Sequence, residues 1–159
     1  MAQRKNGKRN NEMMPPEDAI AMLKADHQRV RDLFQAYEAA TAQHAKRDIA
    51  EEAFIELDTH AQLEQQVFYP AVNEETEEGP ALVHKALQEH QSVKDLIHAL
   101  RAMRDFTEFD AAFHELVQNV EHHAEEEERE MFPLAEVELA DELDLLKEEM
   151  QEIKAQLMS

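Results

Sequence analysis

The chain has 159 residues, 33% of them charged, with a formal net charge of −20, no cysteine and only two glycines. One helical domain with a sizeable core fits that length and composition. The missing thiols exclude disulfide scaffolds, thiolate metal sites and cysteine nucleophiles. So much negative charge argues against nucleic-acid binding, and no apolar run is long enough to cross a membrane. A soluble cytoplasmic protein is the expectation.

Residues 1–14 are basic and read as a disordered leader without the apolar stretch of a signal peptide. Helical periodicity starts after Pro15 and Pro16, where Ile20, Leu23, His27, Val30, Phe34 and Tyr37 recur at spacings of three and four. A second helix is predicted from near Asp48 to Val67, stopping at Pro70, with Ala53, Leu57, His60, Glu64 and Val67 on one face. Residues 71–79 read as an acidic loop closed by Gly79 and Pro80. The third helix carries Val83, Ala86, His90, Val93, Ile97 and Leu100. The fourth runs from about Asp110 to Met131, with Phe113, Leu116, Val120, His123 and Glu127, and ends before Pro133. All prolines then fall outside helix interiors. Beyond 135, Leu139, Leu143, Leu146, Met150, Ile153 and Leu157 form the seam of a fifth amphipathic helix, which packs on its own bundle or pairs two chains into a homodimer.

A shift of 63 residues superimposes His27 on His90, His60 on His123, Glu64 on Glu127 and Pro70 on Pro133. Asp26 meets Glu89, Val30 meets Val93 and Leu33 meets Leu96. Two repeated helix pairs suit a four-helix bundle with a pseudo-twofold axis. His60 and Glu64, like His123 and Glu127, are four residues apart and share a helix face. His27 and His90 interrupt apolar stripes. Burying two carboxylates and four imidazoles unpartnered costs several kcal/mol per charge. A pair of cations removes that cost, and this nitrogen and oxygen set suits Fe, Mn, Zn or Cu better than Mg or Ca. With both glutamates bridging, about eight of twelve octahedral positions are filled, leaving room for a solvent bridge and an exogenous ligand.

The other histidines lack this support. His44 falls in a predicted loop, and His84, His98, His114 and His122 map onto Ala21, Gln35, Glu51 and Thr59, as surface residues would. His84 lies near the end of the bundle expected to hold the site. Zinc hydrolysis lacks a His-Glu-x-x-His motif, and the ferritin-like Glu-x-x-His has the opposite order and a shorter spacing.

His27, His60-Ala-Gln-Leu-Glu64, His90 and His123-Ala-Glu-Glu-Glu127, with Phe68-Tyr69-Pro70 and Met131-Phe132-Pro133 after the two paired motifs, resemble the hemerythrin-like (HHE cation-binding) family. The resemblance covers roughly residues 17–135, within a division into leader 1–14, bundle 15–135 and C-terminal helix 136–159. It implies an all-α, up-down-up-down bundle around a non-haem di-iron centre, oxo- or hydroxo-bridged, held by His27, His60, Glu64, His90, His123 and Glu127. Ala86 stands where the invertebrate oxygen carriers have a fifth histidine, and those carriers use an aspartate as the second carboxylate, whereas this sequence has four histidines and two glutamates. The chain therefore looks like the more symmetric bacterial type. Another ligand can be recruited, and Tyr37 and Tyr69 are the available tyrosines, though packing explains both. The implied function is binding of O2, NO or peroxide for sensing, storage or delivery, with walls from Val30, Phe34, Val93 and Ile97. A catalase-like or nitric-oxide-processing enzyme is the alternative, with Glu126, Glu128 or a tyrosine as its proton donor. Iron storage or repair is a further one, although no access route for iron is legible.

Overall fold

The computed structural model describes residues 16–159, so the expected leader 1–14 lies outside the described residues. Helix α1 spans Ala19–Ala39 and α2 spans Gln43–Leu63. A π turn, Glu64–Phe68, carries α2 into α3, Tyr69–Glu75. Helix α4 is Gly79–Ala102 and α5 is Phe106–Glu126. A second π turn, Glu127–Met131, leads into α6, Phe132–Glu138, and α7 follows at Leu143–Met158. No strand occurs among the described residues. The two long helix pairs run up-down-up-down, and the π turns are 63 residues apart, as are the histidines.

Local chemistry sets the helix starts. The Asp18 carboxylate accepts from the Ala21 amide at 2.9 Å and that of Asp105 from the Glu108 amide at 2.9 Å, capping α1 and α5. The stripe predicted for α1 is its buried face, from Ile20 to Tyr37.

Three expectations are corrected. The helices do not stop at Pro70 and Pro133 but continue to Glu75 and Glu138. In each π turn the backbone N–H five residues on, of Tyr69 or Phe132, reaches back to the carbonyl of Glu64 or Glu127. That wider turn gives the following proline ring room, and its missing donor falls where the α-helix restarts. Residues 71–75 are consequently helical, and the acidic connection shrinks to Thr76–Glu78. His44 sits in the first turn of α2, not in a loop. Gly79 is required where this turn folds back, because a Cβ there would run into the Val72 carbonyl and the Thr76 hydroxyl.

Two apolar clusters flank the middle of the bundle. The distal one joins Phe34, Tyr37, Phe54, Leu100, Phe109 and Phe113, with Phe113 stacked on Tyr37 at 4.0 Å between centroids. The other joins Leu23, Leu63, Phe68, Val72 and Phe132 to Leu139, Leu143, Leu146 and Met150. The seam of α7 is therefore spent on α1, α2 and the first π turn, with Ile153 partly buried and Leu157 exposed.

Candidate metal centre

Between those clusters the four helices point six polar side chains inward, all with at most 8% of their surface exposed. His27 comes from α1, His60 from α2, His90 from α4 and His123 from α5, while Glu64 and Glu127 open the two π turns. Their donor atoms form two overlapping groups, His27, His60, Glu64 and Glu127, and Glu64, His90, His123 and Glu127. Within each group the atoms lie within 4.8 Å of one another, and both glutamates belong to both groups. All six residues singled out from the repeat are thus brought together. Ring centroids repeat the symmetry, at 4.9 Å for His27 and His60 and 4.8 Å for His90 and His123.

The outer nitrogens explain the orientation of the rings. Nδ1 of His27 donates to Glu128 at 2.7 Å, that of His60 to Asp26 at 2.8 Å, and that of His123 to Glu89 at 2.7 Å. Nδ1 of His90 faces the side-chain amide of Gln65 at 3.1 Å, and half a turn of that amide presents its oxygen as the acceptor. With Nδ1 engaged outside, each Nε2 keeps a lone pair for the interior. The repeat holds here as well, since Asp26 and Glu89 correspond, and so do Gln65 and Glu128.

The residues fit a metal pair. Nε2 of His27 and of His60, Oε2 of Glu64 and Oε1 of Glu127 are buried without a hydrogen bond. Native interiors rarely leave such atoms orphaned, and a cation satisfies all of them. Burial disfavours the imidazolium of His60, but Glu64 and Asp26 outweigh it and hold its pKa well above the ordinary value. His123 is raised to about 10, burial again being outweighed, here by Glu127 and Glu89. Burial pushes Glu64 up, yet the neighbouring His60 brings its pKa well below the usual carboxylate range.

Tyr69 corrects the packing role read from the sequence. Its hydroxyl lies between the two carboxylates, hydrogen-bonded to Glu127 and 3.0 Å from Glu64 Oε1. Nε2 of His90 is 3.1 Å away and Nε2 of His123 3.3 Å. Burial, and then the charges of Glu64 and Glu127, raise its pKa well above the ordinary phenol value. The phenol is thus a proton and hydrogen-bond donor inside the donor set. Its repeat partner Phe132 has no hydroxyl and packs, stacking on His27 and meeting Phe68 edge-on, each at 5.7 Å between centroids, so the mismatch in the repeat was the available signal. Tyr37 does pack, far from the site, donating to Asp110 at 2.8 Å. His44, His84, His98, His114 and His122 are exposed.

An apolar cavity of about 50 Å³ adjoins the histidines, walled by Val30, Phe34, Leu57, Val93 and Val120. Ile97, expected as a wall, lies instead beside the groove between α2 and α4. Arg31 stands at the cavity rim, donating to Glu121 at 2.8 Å and bracing Glu128, the partner of His27.

Fold and donor set together define a helical bundle with an interior histidine–carboxylate cluster that could hold metal ions. The hemerythrin HHE cation-binding domain family matches residues 18–135 and, in a second alignment, 87–158; the chain belongs to that family. An uncharacterized hemerythrin-like protein of Schizosaccharomyces pombe is 28% identical over 119 residues, 74% of this chain and 59% of its own length. The chain thus spans about three-fifths of that curated relative. The crystal structure of a hemerythrin HHE cation-binding domain-containing protein from Mycobacterium kansasii superimposes with a TM-score of 0.74 at 28% identity, covering 88% of this chain and 86% of that one.

Proposed function

We propose that the chain holds two iron ions, one with His27 and His60, the other with His90 and His123, and Glu64 and Glu127 shared between them, and that it takes up a small oxygen or nitrogen species beside them. Bound iron supplies redox change and open coordination positions for O2, NO or peroxide. The observation that carries this reading is the apolar cavity of about 50 Å³ against the ligand histidines, sized for a species of one to a few atoms and walled for an uncharged one. Val30, Phe34 and Val93 exclude bulk water there, and Glu128, Asp26, Glu89 and Gln65 keep the imidazoles aimed inward.

Tyr69 favours a second reading, an enzyme that decomposes peroxide. Its O–H is buried, shared with Glu64 and Glu127, and keeps its proton at neutral pH, so it can donate a hydrogen bond or a proton to a peroxide oxygen.

Elemental analysis of chain expressed with iron, combined with absorption spectra before and after peroxide, tests both readings. About two irons per chain with sustained O2 release, slowed about a hundredfold in Tyr69→Phe, favours the enzyme. Two irons without turnover favours reversible binding or sensing. Zinc, or no metal, overturns the di-iron reading.

A further inference from the structure

The inner apolar cavity meets two faces of the bundle, and the 63-residue shift relates them. Toward α1 and α5 its wall is Val30, Val120 and Ala124; toward α2 and α4 it is the corresponding Val93, Leu57 and Ala61. Outside each wall a polar trio corresponds too, Arg31, Glu121 and Glu128 on one face and Lys94, Asp58 and Gln65 on the other. The first trio is closed. Arg31 donates to Glu121 at 2.8 Å and to Glu128 at 3.4 Å, and behind it Val30 and Ala124 are buried. The second trio is open. Asp58 accepts instead from Gln62 at 3.2 Å, the Gln65 amide faces His90, and the exposed Lys94 holds neither of them among the described residues. A groove of about 420 Å³ runs here between α2 and α4. Leu57, Ala61, His90 and Val93 line both this groove and the inner cavity, and Leu57, Ala61 and Val93 are only partly buried. One layer of side chains therefore separates the groove from the space beside the ligand histidines.

We propose that the α2–α4 groove is the entrance for the small uncharged species, and that Leu57, Ala61 and Val93 form the throat that selects it by size. The proposal rests on the ligand-binding reading above and adds the way in. Ala61 carries the smallest side chain of the three, so the layer is thinnest there. Leu57 has open groove on one side and can change rotamer without disturbing the core, on the timescale of ordinary side-chain motion. A species of two or three atoms passes on such motions, whereas a bulky organic hydroperoxide stays in the groove. The opposite face admits nothing on the same terms. Opening it means breaking the charge-assisted bonds of Arg31 to two carboxylates, and the wall behind is buried. The two faces thus share a wall and differ in their latch.

Xenon tests the route whatever metal the chain holds, because apolar cavities of this kind take it up. Its exchange between cavity and solvent is read by xenon NMR on the full chain as purified. The double variant Lys94→Arg with Asp58→Glu, which copies the closed face, and Ala61→Phe, which plugs the throat, should each slow exchange about tenfold, and Leu57→Ala should speed it by about as much. The double variant alters only exposed residues, so it keeps the test decisive even where Ala61→Phe fails to fold. The same variants should shift the rate of NO binding to the iron-loaded chain in the same directions by stopped-flow absorption, with the dissociation constant of the double variant unchanged. Exchange at the wild-type rate in all the groove variants overturns the route. So does the absence of xenon uptake in the unaltered chain, or faster exchange in Arg31→Met than in Leu57→Ala, which puts the door between α1 and α5. If the xenon rates shift as expected but the chain retains no iron or binds no NO, the functional reading above fails while the entrance stands, and the two failures are distinguishable.

Discussion

The halves 19–75 and 79–138 share every inward donor and differ in what surrounds them. His60 with Glu64 and His123 with Glu127 occupy equivalent turns, and Asp26 and Glu89 orient equivalent rings. Around that common set the first half supplies a phenol, Tyr69, where the second supplies Phe132, and an amide, Gln65, where the second supplies Glu128. The first half is also sealed by α7, whereas the second stays open at Lys85, Glu126 and Glu130. The six inward positions match across the repeat and pack into the two overlapping donor groups. The positions around them do not match, so the two donor groups have different environments.

The largest expected effect tests whether the halves really share their carboxylates. Glu127→Ala and Glu64→Ala should each lose at least one ion per chain by elemental analysis, with a lower melting temperature, since each glutamate belongs to both donor groups. Retention of two ions in either variant would break the comparison at its centre. Next comes the seal. Met150 is fully buried, and Met150→Ala should cost about 2–4 kcal/mol in urea unfolding. A change below about 0.5 kcal/mol would mean that α7 does not hold the first half. Gln65→Glu makes the fourth histidine like the other three. A more basic imidazole should tighten metal binding about tenfold in chelator competition and lower the reduction potential. The smallest effect lies far from the centre. Burial works against the imidazolium of His114, but Glu38 and Asp110 leave its pKa raised above 6.5. Its stabilisation is therefore complete below pH 6.5 and fades as pH rises through the raised value. The pair is half exposed, so His114→Ala should cost about 0.5 kcal/mol or less, and nothing at alkaline pH.

The six inward donors were legible because they recur at one shift and lie on apolar faces, two signals that do not depend on each other. Asp26 and Glu89 were visible in the same register, each just before an inward histidine, but their role depends on ring orientation, which spacing does not carry. Tyr69 was hidden by resemblance. It sits in an aromatic-proline pair whose other copy, Phe132, packs as such a pair suggests. The helix ends near Pro70 and Pro133 were misread because proline normally stops a helix, and one hydrogen bond shifted from i−4 to i−5 removes the obstacle.

The paired π turns also fix the angle at which the residues after each glutamate meet the centre. Each accommodates one residue more than an α-helix of the same rise, and one residue in an α-helix is worth about 100° of rotation. Deleting a residue between Glu64 and Pro70 would restore a plain helix and swing Tyr69 away from the donors, an outcome that no single substitution reproduces. Both halves carry the extra residue at the same offset, immediately after the glutamate. The same rotation therefore follows each shared glutamate and carries Tyr69 in one half and Phe132 in the other to equivalent places beside the buried donors.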